Sequence, residues 1–281
     1  MLPIGIHLSY WQTSWTDDLL PLIAKAKEAG FDVAEFPLLN PSELNYSELK
    51  AELDRLGMKA SCGTGLSHAT DITHPDRSVR QSGLDHLRAC LEGAAKLGSP
   101  GVGGVTYAPW GVFPEDDWDE RRKQCILSLK EVVKIAEDNN VTLFMEVLNR
   151  FEGYLLNTTL QGLEIIQEVD SDHLKLHLDT FHLNIEADEI ASEIRAAGAQ
   201  LGHFHLVANN RKIPGEGHIP WDEVRNALKD VKYQGYLVAE IFVNPAGEVG
   251  RGLFIWRELA LDLDLAANQA AEFIRREMAD V

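Results

Sequence analysis

The chain is short of cysteine, of positive charge and of long apolar runs, and each shortage closes off a class of protein. Its three cysteines, Cys62, Cys90 and Cys125, are odd in number and far apart, which excludes the paired framework that staples small secreted domains. No apolar stretch approaches the roughly 18 residues of a membrane-spanning helix. Lys and Arg number 26 against 44 Asp and Glu, a formal charge of −18. A field of that sign repels phosphate backbones and anionic lipid surfaces. The basic residues gather into nothing larger than pairs such as Arg121-Arg122 and Arg275-Arg276, so neither nucleic acid nor membrane is expected as a partner. The opening MLPIGIHLSYW lacks a basic n-region and runs straight into a strand pattern. No signal peptide is therefore expected, and the expected location is the cytoplasm. Also missing is a G-x-G-x-x-G after the first strand, the mark of a dinucleotide-binding doubly wound sheet.

What is present is a regular alternation. β-rich runs are predicted at 4–10, 31–36, 58–64, 102–107, 141–147, 174–179, 200–207 and 236–242. Helical stretches follow them at 16–29, 47–56, 77–97, 117–139, 160–169, 186–197 and 221–231, and a last one opens near Gly252. Gly30, Gly57, Gly98 and Gly198 stand where helix-closing glycines belong. Strands joined by helical crossovers run parallel, and eight such units predict a single (β/α)₈ (TIM) barrel domain over residues 1–281.

In such a barrel the reactive groups sit at the C-terminal ends of the strands. The last four runs each carry a metal-competent residue there: Leu143-Phe144-Met145-Glu146, Leu176-His177-Leu178-Asp179, His203-Phe204-His205 and Val238-Ala239-Glu240. A single acidic residue at a strand end is an ordinary loop-facing charge. Three carboxylates in one place repel each other, and a divalent cation is the simplest remedy. Glu146, Asp179, His205 and Glu240 offer three oxygen donors and one imidazole, which suit Mn²⁺, Mg²⁺ or Co²⁺ better than a thiolate zinc site. By strand alternation His177 and His203 fall one layer deeper, as satisfied interior histidines. Beyond the strand ends lie Glu152, His182 and Arg211, and the aromatics Trp11, Trp15, Trp110 and Phe242, which could wall a sugar or simply pack under loops.

The stretches 146–152 (EVLNRFE), 178–186 (LDTFHLNIE) and 202–205 (GHFH), running on to Asn210-Arg211 and 214–217 (PGEG), resemble the ketose 3-epimerases. These comprise the D-tagatose, D-psicose (allulose) and L-ribulose 3-epimerases of the xylose isomerase-like barrels. The similarity spans nearly the whole chain. It implies Mn²⁺ or a similar divalent ion on Glu146, Asp179, His205 and Glu240, with Glu152, His182 and Arg211 around the ketone end of a free ketose. It also implies a homodimer or homotetramer. His7, Cys62, Glu35 and the loop of the fourth strand fall where such enzymes vary with substrate. One departure stands out: many relatives carry Gly-Glu where this chain has Val207-Ala208.

The expected reaction is inversion at C3 through a cis-enediolate, with Glu146 and Glu240 as acid and base on opposite faces. The same chemistry would serve a hydroxypyruvate isomerase, an aldose–ketose isomerase, or a lyase or hydratase acting on a 3-keto glycoside. No phosphate-cradling glycine turn follows the last strands, which speaks against a phosphorylated sugar. The charge of −18 speaks against an abasic-site endonuclease on the same barrel. A non-catalytic sugar-binding barrel would have no need of the acid/base pair.

Overall fold

In a computed structural model that describes residues 1–115 and 117–281, eight parallel strands hydrogen-bond in chain order, and the last pairs with the first. They are β1 (Ile4–His7), β2 (Val33–Pro37), β3 (Lys59–Leu66), β4 (Gly101–Pro109), β5 (Thr142–Glu146), β6 (Leu174–Asp179), β7 (Leu201–Leu206) and β8 (Leu237–Ala239). The helices between them are α1 (Leu20–Glu28), α2 (Tyr46–Leu56), α3 (Arg77–Leu97), α4 (Trp118–Asp138), α5 (Thr159–Val169), α6 (Thr180–Glu186), α7 (Ile190–Ala197) and α8 (Trp221–Asp230). The chain finishes with a short α9 (Gly247–Gly252) and α10 (Leu263–Glu277). This is the (β/α)₈ barrel that the alternation predicts. Among the described residues no helix is long and apolar enough to cross a membrane.

Local chemistry explains the boundaries. α3 begins where Asp76 accepts from Ser78 N and ends at Gly98, whose φ of 74° suits a residue without Cβ. α5 opens with a capping box between Thr158 and Gln161. The structure differs from expectation in several places, the first being β1, which gives way after His7 to a 3₁₀ turn (Leu8–Tyr10) where a strand is predicted to residue 10. α1 starts at Leu20 rather than near 16, because Asp17 spends its carboxylate on the N–H groups of Thr13 and Ser14, 2.8 and 2.9 Å away, and so closes a turn instead of opening a helix. The helix predicted over 186–197 starts only at Ile190, and an unpredicted helix, α6, precedes it because Asp179 caps α6 directly by accepting from Phe181 N at 2.6 Å. β8 stops at Ala239, since Phe242 N donates to Arg211 O and not to a neighbouring strand. The last helix is two, with Asp262 capping α10 through Leu265 N.

Strand residues alternate between the barrel interior and the helix layer, and the outward set merges with the helices' inner faces in one apolar cluster. Gly104 (φ 98°) turns the backbone of β4 inward. A Cβ there would lie 2.2 Å from Thr64 O, so only glycine fits. The freed N–H donates to His177 Nδ1 (3.2 Å) in the barrel interior.

Candidate metal centre and pocket

The ligand atoms of Glu146, Asp179, His205 and Glu240 all lie within 4.8 Å of one another. Each is delivered by a strand end: Glu146 and Asp179 are the last residues of β5 and β6, Glu240 follows β8, and His205 is next to last in β7. Because Asp179 Oδ1 is used in capping α6, its Oδ2 is left to face His205 Nδ1 (3.7 Å) and Arg211 Nη1 (3.4 Å). Burial and the Glu240 charge push the Glu146 carboxyl well above its ordinary range. Burial would raise Glu240 too, but His205 and Arg211 hold it below.

Whether a cation fits can be judged from unpaired atoms. Glu146 Oε1 and His205 Nδ1 are fully buried and have no hydrogen-bond partner among the described residues. Orphaned polar atoms of this kind are costly unless something else satisfies them. Both orphans point into the same carboxylate-rich cluster, and the donor set is the oxygen-rich kind that hard divalent ions favour. The residues fit a metal.

Beneath them lies a second layer that aims the imidazole. His205 Nε2 donates to Glu35 Oε1 (2.7 Å), and His203 Nε2 lies 2.8 Å from Glu35 Oε2. Ser61 Oγ donates to that same Oε2 (2.7 Å). Against its complete burial, His205 and His203 keep Glu35 well below the usual carboxylate range. An ionised Glu35 can only accept, so His205 keeps a proton on Nε2, and Nδ1 is the ring atom turned to the cluster. Glu35, from β2, is thus a floor residue beneath the metal-competent set. His177 and His203 are buried in the same layer, with ring centroids 4.7 Å apart.

Above the cluster opens a cavity of about 480 Å³, a size that suits a small ligand. Glu152, His182, Arg211, His7, Trp15, Trp110 and Phe242 all line it, together with Glu146, His205 and Glu240. Arg211 Nη1 donates to Glu240 Oε2 (2.8 Å), and its guanidinium lies over Phe181 at 3.9 Å and Phe242 at 5.1 Å. Trp110 Nε1 donates to Glu152 Oε2 (3.0 Å). His7 Nδ1 is paired with Ser9 Oγ. Burial, with Arg211 beside it, brings His182 down to about 4. Trp15 is fixed by its backbone N–H, which donates to Glu248 Oε1 (2.7 Å).

Cys62 does not belong to this set. It is buried outside the cavity lining, because alternation on β3 gives Ser61 and Gly63 to the interior and Cys62 to the helix layer, in the field of Cys90. Trp11 is likewise packing, its Nε1 donating to Asp264 Oδ1 (2.9 Å) of α10. Val207 and Ala208 are buried and do not line the cavity. Val207 exchanges hydrogen bonds with Thr180 Oγ1, and Ala208 O accepts from Arg211 N (3.0 Å). These two residues shape the turn that carries Arg211.

Sequence reasoning missed Asn149, which touches both Glu152 and His182. Its only sequence signal was a place inside 146–152. Arg150 and Glu186 also went unread: they form a two-pronged ion pair (2.8 to 3.2 Å) that ties the loop after β5 to the end of α6.

Residues 23–276 match the family described as xylose isomerase-like TIM barrel. The chain is 37% identical to a D-psicose 3-epimerase of Ruminiclostridium cellulolyticum, over 96% of each chain. It is 32% identical to an L-ribulose 3-epimerase of Methylomonas sp., over 98% of this chain and 97% of that one. Among solved structures, D-psicose 3-epimerase from Clostridium cellulolyticum H10 with D-tagatose superposes with a TM-score of 0.93 at 35% identity, covering 99% of both chains.

Proposed function

The chain belongs to the xylose isomerase-like TIM barrel family, among its ketose 3-epimerases, and from that premise we propose that it inverts C3 of a free ketose with the help of a divalent cation. The observation that carries the reading is the joining of two glutamates from strands β5 and β8 in one buried cluster that opens onto the cavity. A C–H bond beside a ketone is too weak an acid for a carboxylate alone. When bound to Glu146, Asp179, His205 and Glu240, the cation, with Mn²⁺ the first choice, would act as a Lewis acid and stabilise the charge of the enediolate.

The chain's own groups do the rest. One of Glu146 and Glu240 removes the C3 proton, and the other returns a proton to the far face, which inverts the centre. Groups in such roles typically contribute about 10²–10⁴-fold each. Arg211 and His182 donate to substrate oxygens next to the reacting carbon. Glu152, oriented by Trp110 and Asn149, accepts from a hydroxyl. The opposite wall of Pro37, Leu39, Leu66 and Val105 keeps water from the intermediate.

Turnover of D-fructose, D-tagatose, D-psicose and L-ribulose by metal-stripped protein, with and without added Mn²⁺, tests the proposal. Metal-restored exchange between C3 epimers is the expected result. Tight metal binding without epimerisation of any ketose would overturn it and turn attention to a 3-keto glycoside or a small hydroxy-carbonyl acid.

A further inference from the structure

Asn149 lies three residues past Glu146 and is buried, and every polar group of its side chain is engaged. Its Oδ1 accepts from Phe151 N (3.0 Å), which fixes the orientation of the carboxamide. Nδ2 is thereby turned to the other side, where it donates to Glu152 Oε1 (2.9 Å) and to His182 Nδ1 (2.8 Å). The backbone N–H of Asn149 donates to the same His182 nitrogen (3.2 Å). A ring nitrogen that receives two N–H groups holds its lone pair there, so the proton of a neutral imidazole sits on the other nitrogen. That nitrogen, His182 Nε2, faces the cavity. It lies 3.5 Å from Glu146 Oε1, an acceptor, and 3.5 Å from Arg211 Nη2, a competing donor farther off than the two that face Nδ1.

We infer that Asn149 is a positioning residue that locks His182 as an N–H donor aimed at the reacting end of the substrate, and that it sets Glu152 with the same amide. His182 then offers a hydrogen bond only to an acceptor: a ketone oxygen, or better the oxyanion that grows as the C3 proton leaves. A preset donor of this kind strengthens with developing charge and needs no reorganisation during the reaction. The link also explains why the loop after β5 and the helix after β6 are tied together at their bases.

The first test needs no turnover. In ¹⁵N-labelled protein, two-bond proton–nitrogen correlations of the His182 ring should show the proton on Nε2. In Asn149→Asp the side chain turns from donor to acceptor beside Nδ1 while the backbone N–H stays, so the proton should shift in population from Nε2 toward Nδ1. Kinetically, Asn149→Asp should lower kcat by about 10²-fold, the scale of losing one oxyanion donor, with KM moved less than about threefold. In a His182→Gln background, where the donor does not depend on a tautomer, the same change should cost less, leaving only the part that runs through Glu152. A proton on Nδ1 in the unaltered protein, an unshifted tautomer in Asn149→Asp, or equal losses in both backgrounds would each overturn the assignment. The kinetic arm rests on the epimerase reading. If the unaltered protein epimerises no ketose, that reading fails, while the tautomer result still decides the role of Asn149.

Discussion

Strands β5, β7 and β8 meet the cavity with Glu146, His205 and Glu240 at or next to their ends, with Asp179 of β6 in the same cluster but outside the lining, whereas β2 to β4 meet it mainly with Pro37, Gly63, Gly65, Leu66 and Val105 and with one carboxylate, Glu35. One half-wall concentrates charge, and the other supplies space and dryness. The division has a physical sense. Buried carboxylates are tolerable only beside compensating charge, so they are gathered around one point where a single cation, with Arg211, can serve them all. The half with a single carboxylate, Glu35 in its floor, is then free above that floor to take the shape of the ligand.

The sharpest way to break this comparison is to remove charge from the functional half. Glu146→Gln or Glu240→Gln should lower kcat by at least about 10²-fold, measured as C3-epimer exchange at saturating metal. Substantial activity in either variant would show that the pair is not the acid and base. Smaller in effect, and more telling about how the halves communicate, is Glu35→Gln. Glu35 is the carboxylate from β2 that reaches across to the metal-competent His205 of β7. Its loss should weaken metal affinity by about 10–100-fold, read by calorimetric titration of the stripped protein, and an unchanged affinity would reduce it to a packing residue. The smallest effect is expected on the spacious side. A Cβ on Gly65 would meet nothing within 4 Å, and Gly65 lines the cavity. Gly65→Val should therefore leave the melting temperature nearly unchanged while shifting kcat/KM from six-carbon toward five-carbon ketoses. Each lost or gained methylene contact is worth about 1 kcal/mol, or roughly fivefold.

Much of this was legible in the sequence because it depends on local rules. Strand–helix alternation, closing glycines and the recurrence of Glu146, Asp179, His205 and Glu240 at successive strand ends can all be read one segment at a time. What escaped depends on who meets whom across the barrel. Glu35 and His205 stand 170 residues apart, and nothing near either one announces the other. Asn149 reads as a turn former until His182 is brought against it. Cys62 was misplaced by one step of strand register, and in a strand one residue separates the pocket from the helix layer. Asp179 hid the start of α6 because one side chain caps a helix with one oxygen and faces the cluster with the other.

Arg211 holds its backbone at φ 63°, the left-handed region that suits glycine or asparagine far better. For arginine that conformation costs about 1 kcal/mol, yet the turn built on Ala208 O and Phe242 N requires it. A screen that selects only for heat resistance would nevertheless pass over glycine at this position, because the relief is smaller than the cost of leaving Glu240 and Asp179 buried without their guanidinium. The strained turn is thus kept in place by the charges that its own side chain compensates, so stability and binding chemistry are tied to one residue.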